Sequence, residues 1–162
     1  PLVRIVRAGQ NYEIPARQLF TDASKNVILR GGDKVIVDED ERFFTGIGAT
    51  NSEKLVYFDR EDISVIEALT MMGGLLDTRA NPQGVLVLRQ YPRSAVKSNG
   101  SGPSNAAVVF TIDLASAEGL FGARNFKIQP GDTVLATESA LTTAGAVLAL
   151  VGTTFAIANV IN

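Results

Sequence analysis

The sequence predicts an α+β fold of two related units, the first incomplete, followed by a C-terminal apolar helix. Three observations carry that prediction. Asn26-Val27-Ile28-Leu29-Arg30-Gly31-Gly32-Asp33-Lys34-Val35-Ile36-Val37 returns in closely similar form as Asn125-Phe126-Lys127-Ile128-Gln129-Pro130-Gly131-Asp132-Thr133-Val134-Leu135-Ala136, and a repeated phrase implies a repeated structural unit. Ser64-Val65-Ile66-Glu67 has capping-box spacing ahead of the apolar positions Val65, Ile66, Ala68, Leu69 and Met72, and Gly73-Gly74 closes that helix. Residues 140–161 form a run of 22 without a charge.

Within each repeat, alternating residues lead into Gly-Asp and out into a second apolar run, which predicts strand, tight turn, strand. Gly32-Asp33 and Gly131-Asp132 are therefore read as turn residues, not as a catalytic pair. The repeat extends backwards, since Val3-Arg4-Ile5-Val6-Arg7 stands to the first copy as Val85-Leu86-Val87-Leu88-Arg89 stands to the second. Both strands end in Arg. An apolar pair, Leu19-Phe20 or Leu120-Phe121, precedes each Asn. The copies are offset by 99 residues at the Asn (125 minus 26) and by 82 at the strand (85 minus 3), so the second carries 17 extra residues, seated between Pro92 and Asn105.

The first copy holds only the second half of the unit, whereas residues 43–84 stand ahead of the second copy's strand. The expected boundaries are a half-unit at 1–41, a complete unit at 42–137 and a helix at 138–162. This arrangement predicts a fragment of something longer, with a half-unit that exposes strand edges unless other residues or a neighbouring chain cover them. Pro1 is not an initiator Met and no signal-peptide pattern follows it.

Composition narrows the function classes. With 162 residues, 46% hydrophobic content, 20% charged residues and a net charge of -2, the chain reads as one to two small globular domains. Fifteen basic residues scattered among seventeen acidic ones offer no nucleic-acid surface. Cysteine and histidine are absent, which removes disulfides and thiolate metal sites. No cofactor is called for.

Taken in order, Val3–Arg7 is a strand, Gly9–Asn11 a turn, Tyr12–Pro15 an extended piece and 18–26 a loop or single helical turn. Asp38-Glu39-Asp40-Glu41 lacks the alternating ligands and central Gly of a calcium loop and reads as a solvated acidic linker. Phe43–Thr50 and Lys54–Phe58 form a hairpin in which Gly46 and Gly48 allow close backbone approach; a nucleotide fingerprint would need a third Gly and a following helix. Asp59, Glu61 and Asp62 sit at a turn before the capped helix, where helix-entry charge accounts for them. Met71 and Met72 pack in the core. Arg93–Asn105 is a flexible loop, and its Lys97 and Asn99 make it the candidate partner loop; Asn99-Gly100-Ser101 matches a sequon by chance. Val108–Leu114 is a strand and Ala115–Phe121 a helical turn.

The combination of Ser64-Val65-Ile66-Glu67-Ala68-Leu69, Gly73-Gly74-Leu75, Val85–Arg89, Phe110–Leu114, Gly119-Leu120-Phe121 and Ile128-Gln129-Pro130-Gly131-Asp132-Thr133-Val134 resembles the soluble-ligand-binding β-grasp (SLBB) domain. More particularly, it resembles the outer-membrane polysaccharide export proteins of Gram-negative bacteria, with 1–41 matching the tail of one such domain and 43–137 a full one.

The C-terminus fits that resemblance. As a helix, residues 140–161 reach about 33 Å, against roughly 30 Å of hydrocarbon core. Thr142, Gly145, Ala149, Gly152, Ala156 and Asn159 recur at spacings of 3 and 4 and form a small or polar stripe for helix packing or a wet lumen. Val147, Leu148, Val151 and Phe155 form the bulky face broadly opposite. Such a helix suits one stave of an oligomeric barrel. The family resemblance implies a homo-oligomeric ring spanning periplasm and outer membrane, conducting capsular or extracellular polysaccharide passively and coupled to an inner-membrane co-polymerase. No residue would do covalent chemistry. The competing reading is a soluble periplasmic β-grasp module that binds a glycan or small ligand without forming a pore.

Overall fold

The structure is a computed structural model and describes residues 1–97, 99–140 and the backbone of 156–159. The chain divides into two compact units, Pro1–Glu41 and Arg42–Asn162.

Unit 1 is a three-stranded antiparallel sheet in the order β2-β1-β3, built from β1 (Leu2–Arg7), β2 (Gln10–Pro15) and β3 (Lys34–Asp38). Ala8 and Gly9, at φ +49° and +78°, close the β1–β2 hairpin in the left-handed region that tight two-residue turns use. A short helix, α1 (Ala16–Thr21), and a 3-10 turn at Ala23–Lys25 carry the chain towards β3. Asp22 caps that turn by accepting from the Ser24 amide at 2.9 Å. Alternation places Ile5 opposite Tyr12 and Val35, and Val3 opposite Ile14 and Val37, so these six share one face of the sheet.

Unit 2 is built on a six-stranded mixed sheet in the order β11-β8-β7-β10-β4-β5. Its members are β4 (Phe43–Gly48), β5 (Lys54–Tyr57), β7 (Val85–Gln90), β8 (Ala107–Ile112), β10 (Thr133–Ala136) and β11 (Ala156–Asn159). The β4–β10 and β8–β11 pairs are parallel and the other pairs antiparallel. A separate two-stranded ladder joins β6 (Ile63–Ser64) to β9 (Lys127–Ile128). Helices α2 (Val65–Met71) and α3 (Ala117–Asn125) complete the unit.

The capping box is formed: Ser64 Oγ accepts from the Glu67 amide at 3.3 Å, and the Ser64 amide donates to Glu67 Oε2 at 2.8 Å. Gly73 and Gly74 both have φ of +82° and return amides to Thr70 O and Leu69 O, which ends α2 as a left-handed C-cap does. The buried face of α2 (Val65, Ala68, Leu69), with Met72, packs on Phe44, Val87 and Val134, all at most 5% exposed. Burying a Phe, Leu or Val side chain contributes about 1.5–3 kcal/mol, so this helix-on-sheet layer is a large favourable contribution to the folding of unit 2.

Two expectations are corrected. The segments flanking each Gly-Asp do not form a hairpin: β9 pairs with β6, β10 lies between β7 and β4, and Val27–Arg30 is not a strand. The turn sends its two arms to different neighbours because its Asp is held by a distant strand, as described below. The expected C-terminal helix is not helical at Ala156–Asn159, which runs parallel to β8. The free edge of β8 presents backbone donors and acceptors that an extended segment satisfies and a helix does not. Among the described residues no helix is long and apolar enough to cross a membrane. The helix positions Thr142, Gly145, Val147, Leu148, Ala149, Val151, Gly152 and Phe155 lie outside the described residues.

Candidate functional site

The two Gly-Asp turns are built alike. In unit 2, Gly131 sits at φ +84° and turns the chain so that the Asp132 carboxylate faces the end of β7. Arg89, the last apolar-strand position before Gln90, donates to it from Nε at 3.0 Å and Nη2 at 2.7 Å, and the Gln129 amide adds a third donor at 2.8 Å. Arg89 Nη2 also reaches Lys127 O at 2.8 Å, while its guanidinium lies 5.2 and 5.0 Å from the ring centres of Phe110 and Phe126. Arg89 and Asp132 are 8% and 1% exposed. A buried ion pair of this kind is tolerated only because geometry and extra hydrogen bonds satisfy both charges.

In unit 1, Arg7 donates to Asp33 from Nε at 2.9 Å and Nη2 at 2.6 Å, the Arg30 amide adds a bond at 2.8 Å, and Arg7 Nη2 reaches Ile28 O at 2.8 Å. Ile28, Arg30 and Asp33 stand to Lys127, Gln129 and Asp132 at the constant offset of 99. The hydrogen bonds from Arg7, then from the Arg30 amide, hold the Asp33 carboxyl down to about 2. A carboxyl lowered by folding stabilises the fold above its unfolded value near 3.9, and that contribution disappears as pH falls from there through about 2. Titration of the Asp33 carboxyl by NMR is expected to give a midpoint near 2; an unshifted midpoint overturns this clasp.

These clasps organise structure. The Gly-Asp turns are legible in sequence, and so is the Arg ending each strand, but partners 26 and 43 residues apart carry no local signal that joins them.

Among the described residues, a shallow cleft of about 700 Å³ lies where β4 and β10 end, lined in part by Gly48, Asn51, Glu53, Arg79, Thr137 and Glu138. Each wall is fixed by backbone bonding. Gly48 donates its amide to Glu53 Oε1 at 2.9 Å, Asn51 Nδ2 donates to Gly73 O at 2.6 Å, and Thr137 Oγ1 donates to Gly84 O at 2.9 Å. The left-handed pair Gly73-Gly74 thereby braces the cleft as well as ending α2. Arg79 and Glu138 form an exposed ion pair, with Nε to Oε1 at 2.8 Å. A mixed rim of amide, carboxylate, guanidinium and hydroxyl groups has the chemistry to hydrogen-bond a polyhydroxylated ligand. Apart from Gly48, sequence reasoning did not single out these residues, because they come from three separate connections.

Lys97 and Asn99 are exposed, as a partner loop requires. Within their loop, Arg93–Ala95 is a 3-10 turn, the Lys97 amide donates to Pro103 O at 3.1 Å, and Asn99 Oδ1 accepts from the Ser101 amide at 3.1 Å. Asp59 pairs with Arg60 and Asp62 with Lys127, all on the surface. Among the described residues no group of three or more carboxylates is placed to hold a metal ion.

No protein-family model matches the chain. It is 32% identical, over 149 residues and 86% of its length, to the capsule polysaccharide export protein BexD of Haemophilus influenzae. It is 26% identical over 148 residues to the capsule polysaccharide export outer membrane protein CtrA of Neisseria meningitidis, in both serogroup A and serogroup B strains. The chain spans 38% of the length of each of these relatives.

Proposed function

From the premise that this chain is a homologue of capsule polysaccharide export proteins, we propose that it forms part of an oligomeric channel. This channel would carry capsular or extracellular polysaccharide out of a Gram-negative cell. The observation that carries this reading is 32% identity sustained over 86% of the chain, across both units. The two units are β-grasp elements of the SLBB type, facing the periplasm and repeated around a ring. The uncharged stretch 140–161 associates with the outer membrane. The channel conducts passively and couples to an inner-membrane co-polymerase. Polar groups, not covalent chemistry, meet the polymer.

A second reading has its own support. The docking of β11 on β8 and the polar cleft suit a soluble periplasmic module that binds a glycan or small ligand. Detergent extraction and mass determination of the chain, beside a version ending at Ser139, separate the two. The channel reading expects a large ring that requires detergent only when 140–162 is present. A water-soluble monomer in both cases overturns it and leaves the binding module.

A further inference from the structure

We propose that Asn99 is a site of self-modification: the backbone nitrogen of Gly100 closes on the Asn99 carboxamide, Ser101 assists that closure, and the loop is left carrying an aspartate or an isoaspartate. The inference rests on the geometry of this turn and not on the export reading.

The step needs an unobstructed nitrogen and a carbonyl able to take up negative charge. Asn99 alone among the Asn residues is followed by Gly. Gly100 has no Cβ to crowd its own nitrogen, and at φ +78° nothing lies within 4 Å of where a Cβ would stand. Among the described residues the Gly100 amide makes no hydrogen bond. Its nitrogen is therefore free to give up its proton and turn on the neighbouring side chain.

The carbonyl is prepared as well. Asn99 Oδ1 accepts from the Ser101 amide at 3.1 Å and from Ser101 Oγ at 2.7 Å. Attack at Cγ places negative charge on that oxygen, and two donors already aimed at it stabilise the charge as an oxyanion hole does. The Lys97 amide, donating to Pro103 O at 3.1 Å, keeps the two ends of the turn together.

The chemistry balances with water as the one co-reactant. Gly100 N gives its proton to solvent and bonds to Asn99 Cγ; the Cγ–Nδ2 bond breaks, ammonia leaves and a cyclic imide remains. Water then opens the ring at Cγ, giving aspartate, or at the Asn99 backbone carbonyl, giving isoaspartate with the main chain routed through Cβ. Residues 92–105 contain Arg93 and Lys97 and no acid, so either product takes their net charge from +2 to +1. Isoaspartate also lengthens the loop by a carbon.

Other Asn residues each lack a requirement. Asn81 and Asn105 accept from the amide two residues on, at 2.9 and 3.4 Å, but Pro82 has no N–H and Ala106 carries a Cβ. Asn51 donates its Nδ2 to Gly73 O at 2.6 Å, which ties up the leaving group.

The test follows the purified chain over days at mildly alkaline pH. Mass spectrometric sequencing of its peptides places each conversion, and an isoaspartyl methyltransferase counts the isoaspartate. The proposal expects conversion at Asn99 to outpace that at Asn105 and Asn51. It expects Ser101→Ala to slow it by roughly tenfold, less than at an enclosed oxyanion site because water reaches this loop. In urea, where the turn is lost, the effect of Ser101→Ala is expected to vanish. Conversion at Asn99 no faster than at Asn105 overturns the proposal. So does a folded Ser101→Ala chain that converts as fast as the parent or faster, and so does a Ser101→Ala effect of equal size in urea. The time course of the unsubstituted chain needs no variant, so a misfolded one leaves the test standing.

Discussion

Asp132→Ala is expected to destabilise unit 2 by about 3–5 kcal/mol, the usual cost of leaving one member of a buried ion pair behind. The magnitude follows from what remains. Arg89 is 8% exposed, held between Phe110 and Phe126, and cannot withdraw its guanidinium into water without vacating that slot. The Gln129 amide loses its acceptor at the same time. Urea denaturation followed by circular dichroism measures the loss, and a change below about 1 kcal/mol would remove the clasp from the account of stability. Two comparisons isolate the cause. Arg89→Met with Asp132→Leu removes both charges and is expected to recover much of the stability lost by the single variant. Asp33→Ala removes the corresponding carboxylate in unit 1, where the Arg7 side chain is 28% exposed, and is expected to cost less because water can take over the freed donors.

Gly48→Ala is the second large effect, at roughly 2–4 kcal/mol from backbone strain and overpacking together. A Cβ at Gly48 would lie 2.1 Å from Ala136 O and 2.8 Å from Leu135 Cδ1, and the residue has φ of +93°. The first of those atoms is backbone within the β4–β10 ladder, where Ala136 O already accepts from the Ala49 amide at 2.8 Å. Relief therefore requires the two strands to part at the mouth of the cleft. Gly131→Ala is the reference, since its φ is similar at +84° but nothing lies within 4 Å of the added Cβ. It is expected to show the strain alone, about 1–2 kcal/mol. Equal losses in the two variants would mean that close strand approach contributes nothing beyond the backbone angle.

Both substitutions fall at residues the sequence already marked as special, yet their importance was visible only in part. Gly48 was read correctly as a point of close approach in a hairpin, because a Gly within a strand pattern signals that something comes near. What comes near is β10, nearly ninety positions away along the chain, and no local pattern names it. Asp132 was read as a turn former, which it is. The Arg that makes the turn expensive to disturb was seen only as the last residue of a strand.

The sequence by itself determined the repeat, its offset, the capped helix with its Gly-Gly end, the core role of Met72, and the polysaccharide-export resemblance that 32% identity to a known export protein supports. These are properties of neighbouring residues: alternation, cap spacing and left-handed glycines act within one turn or one strand. The tertiary structure alone decided which strands pair across long separations. It placed Lys127–Ile128 against Ile63–Ser64, Thr133–Ala136 parallel to Thr45–Gly48, and Ala156–Asn159 along β8. It also joined Arg7 to Asp33, Arg89 to Asp132, and three separate connections into one cleft. A strand's sequence fixes which faces it shows, but its partner is chosen by competition among all available edges, and that competition is settled only when the whole chain has folded.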